Sequence, residues 1–405
     1  MSTSTAHLSF PMLRTRECPF HSPPGYKPLI AEAPVTRAKM WDGRDVWLVT
    51  GYSEARSVLA DSRFSGRNDL PNFPFTNSGI KGLRTGSRQY TNMDNPEHNR
   101  FRRMITELSG PGIAQMRPTV EQIINERIDA MLASPTRSAD LYAEFGLAVP
   151  SVVICELLGV PHEDQDFFQE HSIVTMSPQA TVEEATASAD ALLQYVLDLI
   201  DRREREPAGG LISRMTHEHV LTGDITRLEL AEIGRIQLIA GHDTTANMLA
   251  LGALLLILNP EEAAELREAD DPAVMANAID EMMRYLSIAH AGRPRVALED
   301  VEIAGQVIAA GDGVVVAADA NNHDESVFPD PETLDIHRGN AKRHLGFGFG
   351  THRCHGELLA KMEMEIAFDA LLKRIPTLRL AVPFEDLEFR RESTNYGVRE
   401  LPVAW

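Results

Sequence analysis

One ten-residue stretch, Phe347-Gly348-Phe349-Gly350-Thr351-His352-Arg353-Cys354-His355-Gly356, constrains this chain more than any other. A lone cysteine closes a glycine-rich loop, and directly after it runs Glu357-Leu358-Leu359-Ala360-Lys361-Met362, a series of strong helix formers. The sulfur of Cys354 therefore falls where loop meets helix, and the first-turn N–H groups and positive dipole end of such a helix favour a thiolate. Glycines at 348, 350 and 356 let the backbone turn tightly and lie against a flat partner. Phe347 and Phe349 can keep water off the sulfur. A thiolate in such a bed suits a haem iron, onto which it pushes electron density so that O–O cleavage is favoured. The other common use of a lone cysteine, as a small buried hydrophobe, needs none of these neighbours.

The second constraint is a long helix. Thr226-Arg227-Leu228-Glu229 is a capping box, and Asn259-Pro260 marks the other end. The segment between is about 32 residues, or ~48 Å, enough to cross a domain. Its second half is apolar almost all round, so it belongs inside, while its apolar run from Met248 to Leu258 is too short to span a bilayer. In the middle stands Ala240-Gly241-His242-Asp243-Thr244-Thr245. A buried helix has little cause to carry an acid, a histidine and two threonines. Ala240, Gly241 and Thr244 share a face that could lie flat against a macrocycle, and the glycine beside threonines permits a local kink or widened turn.

Around these two stretches the chain reads mainly α-helical with a smaller β-rich region, an α+β class. Residues 1–30 are irregular, and Val35 to Thr50 reads as a hairpin turning at Trp41-Asp42-Gly43-Arg44. Ser53 to Ala60 is a short helix. Residues 62–92 form a long Gly-, Asn-, Pro- and Ser-rich loop of the kind that acts as a lid or binding segment. Asn95-Pro96 opens a helix, with Asn as N-cap and Pro at the first helical position. On it His98 and Arg102 share a face; both can donate to a carboxylate, and the alternative is a solvated basic face. Residues 115–204 are mostly helical, broken near Pro135, Pro161 and Pro178. Glu281-Met282-Met283-Arg284 places two charges three apart on a further helix. Strands are expected in about 30–60, 293–320 and 385–403.

Composition narrows the function classes. Across 405 residues, 43% are hydrophobic and 24% charged, and the formal net charge is −20, which argues against a general nucleic-acid binder. The three cysteines, Cys18, Cys155 and Cys354, form no CxxC pair, so a disulfide framework or zinc site is not expected and a reducing cytoplasm fits. Met1 to Lys27 lacks an apolar core for a signal peptide or anchor. Length alone suggests more than one domain, but motifs spread over the whole chain favour a single domain, 1–405, without a membrane span.

In that order the motifs resemble the cytochrome P-450 family: H-x-x-x-R at His98 and Arg102, A-G-x-D-T-T at 240–245, E-x-x-R at 281–284, the arginine strand Arg293-Pro294-Arg295-Val296, the meander Val327-Phe328-Pro329-Asp330-Pro331, and F-G-x-G-x-H-x-C-x-G at 347–356. The resemblance implies a haem-thiolate monooxygenase with haem b ligated by Cys354. It implies haem contacts from Ala240, Gly241 and Phe347, and propionates held by His98, Arg102, Arg295 and His352, with Arg293 a competing candidate for Arg295. Thr244 would be the hydrogen-bond donor and Asp243 the proton relay in O2 chemistry; the alternative for Asp243 is a salt-bridged structural acid. The E-x-x-R pair is implied to be structural. Phe167 to Gln179 and Val182 to Arg203 would roof the pocket, and Ile288 to Ala291 and Thr394 to Gly397 would border it. The implied reaction inserts one oxygen atom into a small, largely apolar substrate, in secondary metabolism or catabolism. Electrons would come from an external ferredoxin and its NAD(P)H-dependent reductase, docking on Arg100, Arg103, Lys342, Arg343 and Arg353 of a monomer. Other haem-thiolate readings are a nitric oxide reductase, a peroxygenase and a non-catalytic gas sensor; the Asp243-Thr244 pair favours O2 chemistry. His355, where the family is usually apolar, and Gly346, where alanine is common, depart from the pattern, and His242 has no assigned role.

Overall fold

The computed structural model describes residues 8–16, 19–76, 81, 89–176 and 180–405; Cys18, Pro178 and the middle of the 62–92 loop lie outside them. The helical part is built on α1 (Glu97–Met104), α2 (Gly110–Leu132), α3 (Ala148–Leu158), α4 (Gln165–Met176), α5 (Val182–Arg205), α6 (Arg227–Leu258), α7 (Pro272–Leu286) and α8 (Glu357–Arg374). Three small sheets accompany it. The largest takes the order β1-β2-β8-β5-β3, from Val35–Lys39, Asp45–Val49, Gly313–Val316, Arg293–Ala297 and Phe64–Ser65. β4 (Ser138–Asp140), β10 (Pro402–Ala404) and β9 (Arg379–Leu380) form the second, and the β6–β7 hairpin (Val301–Ile303, Gln306–Ile308) the third.

α6 is the axis. Its 32 residues begin at the Thr226 capping box, where Thr226 accepts from the Glu229 N–H and Glu229 reaches back to the Thr226 backbone. Its C-cap is Asn259. Its second half is apolar almost all round, and neighbours cover the helix: α3, α4, α5, α7 and α8 all pack on it. Among the described residues it is the one helix long and apolar enough to cross a membrane, and 72% of that window is buried inside the protein. It is α-helical throughout, without the widened turn that Gly241 would allow. π-helical turns occur instead at Tyr142–Leu147 and Thr216–Val220. His242 is consumed in packing: its Nε2 lies 2.6 Å from Ser151 Oγ of α3, and the serine proton goes to Leu147 O at 2.7 Å, so the imidazole is the donor. Burial pushes its pKa down to about 4.

The hairpin stands as expected, with Val35 opposite Val49. Two details differ from the sequence reading. The Asn95–Pro96 peptide is cis and α1 starts at Glu97, so Asn95 is not its cap; the Asp94 carbonyl accepts from His98 N–H instead. Residues 385–403 contribute only β10 and an isolated bridge between Phe389 and Val398, whereas β4 arises where helix was expected.

Glu281 and Arg284 of α7 are fully buried and joined by two bonds of 2.7 Å. Arg338 adds a second guanidinium to Glu281 at 3.1 Å. Arg284 also donates to the carbonyls of Asn322, Pro331 and Thr333. Asn322 carries the scaffold onward, accepting from Leu345 N–H at 2.7 Å at the entrance to the cysteine loop. The charges hold the backbone that presents Cys354, the structural role expected of this pair.

Candidate active site

A cavity of about 450 Å3 lies between α6 and the cysteine loop. On the α6 side Ile236, Gln237, Ala240, Gly241, Thr244, Thr245 and Met248 line it. Each of these positions lies three or four residues from another of them, which keeps them on one stripe. Opposite stand Phe347, His352, Cys354, Gly356, Leu359 and Ala360. Gly356 closes the loop with open space where a Cβ would sit. The two walls leave a slot with small residues on one side and a sulfur on the other.

Cys354 is accessible, but to this slot, and protein surrounds it otherwise. Its own N–H donates to Phe347 O at 2.8 Å. Burial raises the thiol above its ordinary range, and the Gly356 N–H with Arg293 and Arg102 pulls it back. Burial therefore outweighs the helix terminus in the free thiol; a bound metal ion would remove the proton outright. Cys155, the other described cysteine, is a core residue whose thiol burial pushes up to about 12.

One end of the slot gathers arginine and histidine side chains. The His98 and His352 rings lie 4.5 Å apart. Arg102 donates to the Arg353 carbonyl at 2.5 Å and Thr351 O at 3.4 Å. Burial, with Arg295, His98 and Arg102 adding to it, holds His352 down to about 3. Arg295 is brought down to about 10 by burial and by Arg293. His98 Nδ1 and Arg293 Nη1 are enclosed without a hydrogen-bond partner. The carboxylate nearby, Asp94, is bonded to Ser65 Oγ and to Gly66 N–H. Arginines and neutral imidazoles crowded together, with nitrogens unmet, beside a flat slot are the complement of the two propionates and planar ring of haem.

Of the residues singled out from sequence, His98, Arg102, Ala240, Gly241, Thr244, Phe347, His352 and Cys354 all line this cavity. Arg295 is buried behind it, donating to the adjacent Pro294 carbonyl, and Arg293 lines it. Asp243 is turned away. Its Oδ2 accepts from Asn395 Nδ2 at 2.8 Å, and Arg390 Nη1 lies 3.4 Å from Oδ1. Ile288 and Ala289 border the cavity as expected; among the described residues, 394–397 and 167–203 do not line it. Gly397 instead presses on α6, with room for no Cβ against Asn247. Sequence reasoning missed Gln237, which donates to Tyr90 Oη at 2.9 Å across the cavity wall. A polar residue one turn before Ala240 on the buried stripe was a usable signal. It also missed Glu363, a fully buried acid at the cavity with Oε2 unpartnered, pushed up to about 8 by burial.

A family model for cytochrome P450 matches residues 167–379. Cytochrome P450 CYP105Q4 of Mycobacterium marinum is 43% identical over 405 residues, spanning 100% of this chain and 97% of that protein. The crystal structure of GfsF superposes with a TM-score of 0.93 at 42% identity, over 98% of this chain and 100% of that one. The mycinamicin VIII C21 methyl hydroxylase MycCI of Micromonospora griseorubida, solved with mycinamicin VIII bound, gives 0.90 at 38% identity over 98% and 100%. Likeness at this level along the whole length leaves one assignment for the fold and its thiol-lined slot: the chain is a monooxygenase of the cytochrome P450 family.

Proposed function

We propose that this chain holds haem b and inserts one oxygen atom of O2 into a C–H bond or double bond of a small, largely apolar product of secondary metabolism. The observation that carries the reading is the slot itself, with the Cys354 sulfur on one wall and the Ala240-Gly241-Thr244 stripe facing it. Cys354 would ligate the iron, and His98, Arg102, Arg295 and His352 would meet the propionates. Haem, when bound, supplies the activation of dioxygen.

The chain's own residues manage water and protons. The apolar packing around α6 excludes bulk water. The Thr244 hydroxyl donates to Ala240 O at 2.8 Å, and rotation about one bond turns that proton into the cavity. Asp243, on the preceding position of the helix, reaches the same space only by leaving Arg390 and Asn395. Relay by Asp243 therefore involves exchange of partners. The substrate class draws support from the mycinamicin-bound hydroxylase and from the mostly apolar α6 stripe.

Electrons would come from a ferredoxin and its NAD(P)H-dependent reductase in the cytoplasm. Arg100, Arg103, Lys342 and Arg343 are exposed. An acidic carrier would be steered to them despite the net charge of −20. Arg353 contributes less, because Glu357 pairs with it at 2.5 and 2.7 Å. The test begins with the purified chain reduced under carbon monoxide, which should show the red-shifted Soret band of thiolate ligation. Substrate should then convert low spin to high spin, and NAD(P)H should be oxidised only with ferredoxin and reductase present. Protein that stays colourless after haem reconstitution overturns the reading, and direct NADH-driven turnover of nitric oxide would replace it with the reductase alternative.

A further inference from the structure

Ser287, the C-cap of α7, stands in the left-handed region at φ 41 and ψ 55. An L side chain is disfavoured there, so the turn persists only where its neighbours hold it. Its hydroxyl donates to Arg284 O at 2.7 Å and accepts from Asn322 Nδ2 at 2.8 Å. Its carbonyl is held from the far end of the chain. Arg14 Nη2 donates to Leu286 O at 2.5 Å and to Ser287 O at 3.1 Å, across 272 and 273 positions. The next two residues, Ile288 and Ala289, line the cavity.

Arg14 is 2% exposed, and its guanidinium lies over the Tyr396 ring at 4.3 Å from the centroid. Nη1 donates to Pro19 O at 3.4 Å and Phe20 O at 3.3 Å, so the N-terminal segment folds round the same group. Tyr396 N–H in turn donates to Ile288 O at 2.8 Å. Ile288 is therefore fixed by two contacts that both rest on Arg14: the pair of carbonyls that precede it, and the residue whose N–H takes its own carbonyl. Among the described residues, every acceptor bonded to Arg14 is a backbone carbonyl, and Asp319 opposes the charge only through space. A buried cation so placed is a costly way to fasten a chain terminus, which apolar packing would do as well. What the guanidinium adds is geometry. Its planar fork grips two carbonyls of one turn while its face covers a ring.

We propose that Arg14 is a positioning residue for substrate: it clamps the turn after α7, and so fixes the wall that Ile288 and Ala289 present to an apolar group in the cavity. The proposal rests on the reading that this cavity holds haem with the substrate beside it. It gives the N-terminal segment a part in substrate selection, although Arg14 itself does not line the cavity.

The holoenzyme, Arg14→Gln and Arg14→Lys are compared in two measurements. Optical titration with imidazole and with 4-phenylimidazole reports on the wall, because both ligate the haem iron and only the second carries an apolar ring out into the cavity. Hydrogen exchange reports on the amides of 287–291 and 395–397 against those of α6, whatever occupies the cavity. Arg14→Gln should bind imidazole as the wild type does and 4-phenylimidazole about tenfold more weakly, since a wall no longer pre-organised must be ordered on binding. Exchange should rise about tenfold in the two named segments and stay level in α6. Arg14→Lys should fall between, because it keeps the charge without the fork. Should Arg14→Gln not fold, the lysine variant decides on the same two readouts. A ratio of the two affinities equal to wild type or shifted the other way, or an exchange rise spread evenly over the chain, overturns the proposal and leaves Arg14 a fastening alone. A wild type that lacks the carbon monoxide band fails the haem reading itself and takes this proposal with it.

Discussion

Thr244 and Asp243 are adjacent on one helix and face different surroundings. The threonine lines the cavity, and the acid is held behind it by Arg390 and Asn395. On the proposed reading, the last proton donor would already face the cavity while the relay acid would have to exchange partners to reach it. Thr244→Ala removes the donor without disturbing the helix, since alanine is the better helix former. Product formed per reductant consumed should fall by up to about 10²-fold, the usual contribution of a positioned proton donor, with peroxide making up the difference. Coupling equal to wild type would refute the assignment to Thr244. At this scale helix periodicity showed which side chains of α6 share a stripe and hid whom they touch. The threonine's place follows from helix periodicity, but Arg390 stands 147 positions from Asp243 and no local pattern links them. Arg293 and Arg295 illustrate the same limit, since strand alternation puts both on one face and only packing decides which of them meets the cavity.

Elements hold the site through charges that never meet water. Glu281 lies between Arg284 and Arg338, and all three are buried. Removing the acid strands two cations, and breaking a buried ion pair in this way costs about 3–5 kcal/mol. Glu281→Ala should therefore lose soluble yield and haem content together, because the freed arginines hold Asn322, Pro331 and Thr333, and Asn322 holds Leu345. Thr244→Ala, measured beside it, should load haem normally. A Glu281→Ala protein with full haem content and unchanged melting would show that the network is dispensable. Elements whose determinants are local were legible: the Thr226 box and Asn259 give both ends of α6 because each signal lies within a few residues of the boundary it sets. β4 was not, since Ser138–Asp140 becomes a strand only through Ala404 to Pro402, far along the chain. The π-helical turns at 142–147 and 216–220 likewise answer to packing rather than to propensity.

The molecule as a whole carries buried groups of two kinds whose titrations oppose each other. His242 and His290 are held down to about 4 and His323 to about 3, in each case chiefly by burial. Asp319 is pushed up to about 7 and Glu363 to about 8, again chiefly by burial. The histidines are neutral in the native state and take up protons on unfolding below their ordinary pKa near 6.5. Their contribution to stability is complete above that value and is lost as pH falls towards 4. The acids run the other way: they hold protons in the native state and release them on unfolding, so their contribution is present at low pH and is lost as pH rises through 7 for Asp319 and 8 for Glu363. The two sets cross, and thermal stability should peak near pH 6 and decline on both sides. The limbs can be separated. Glu363→Gln removes a proton that only the native state binds, so its melting temperature should fall less steeply than wild type between pH 6.5 and 8. His323→Gln should flatten the acid side between pH 4 and 6.5 in the same way. Melting of the holoenzyme and both variants across pH 4–9 measures all three slopes. A wild-type profile flat from pH 6 to 8, or a Glu363→Gln profile parallel to wild type there, would mean that the native protein does not keep that carboxyl protonated and that the cavity around it is wetter than its packing implies.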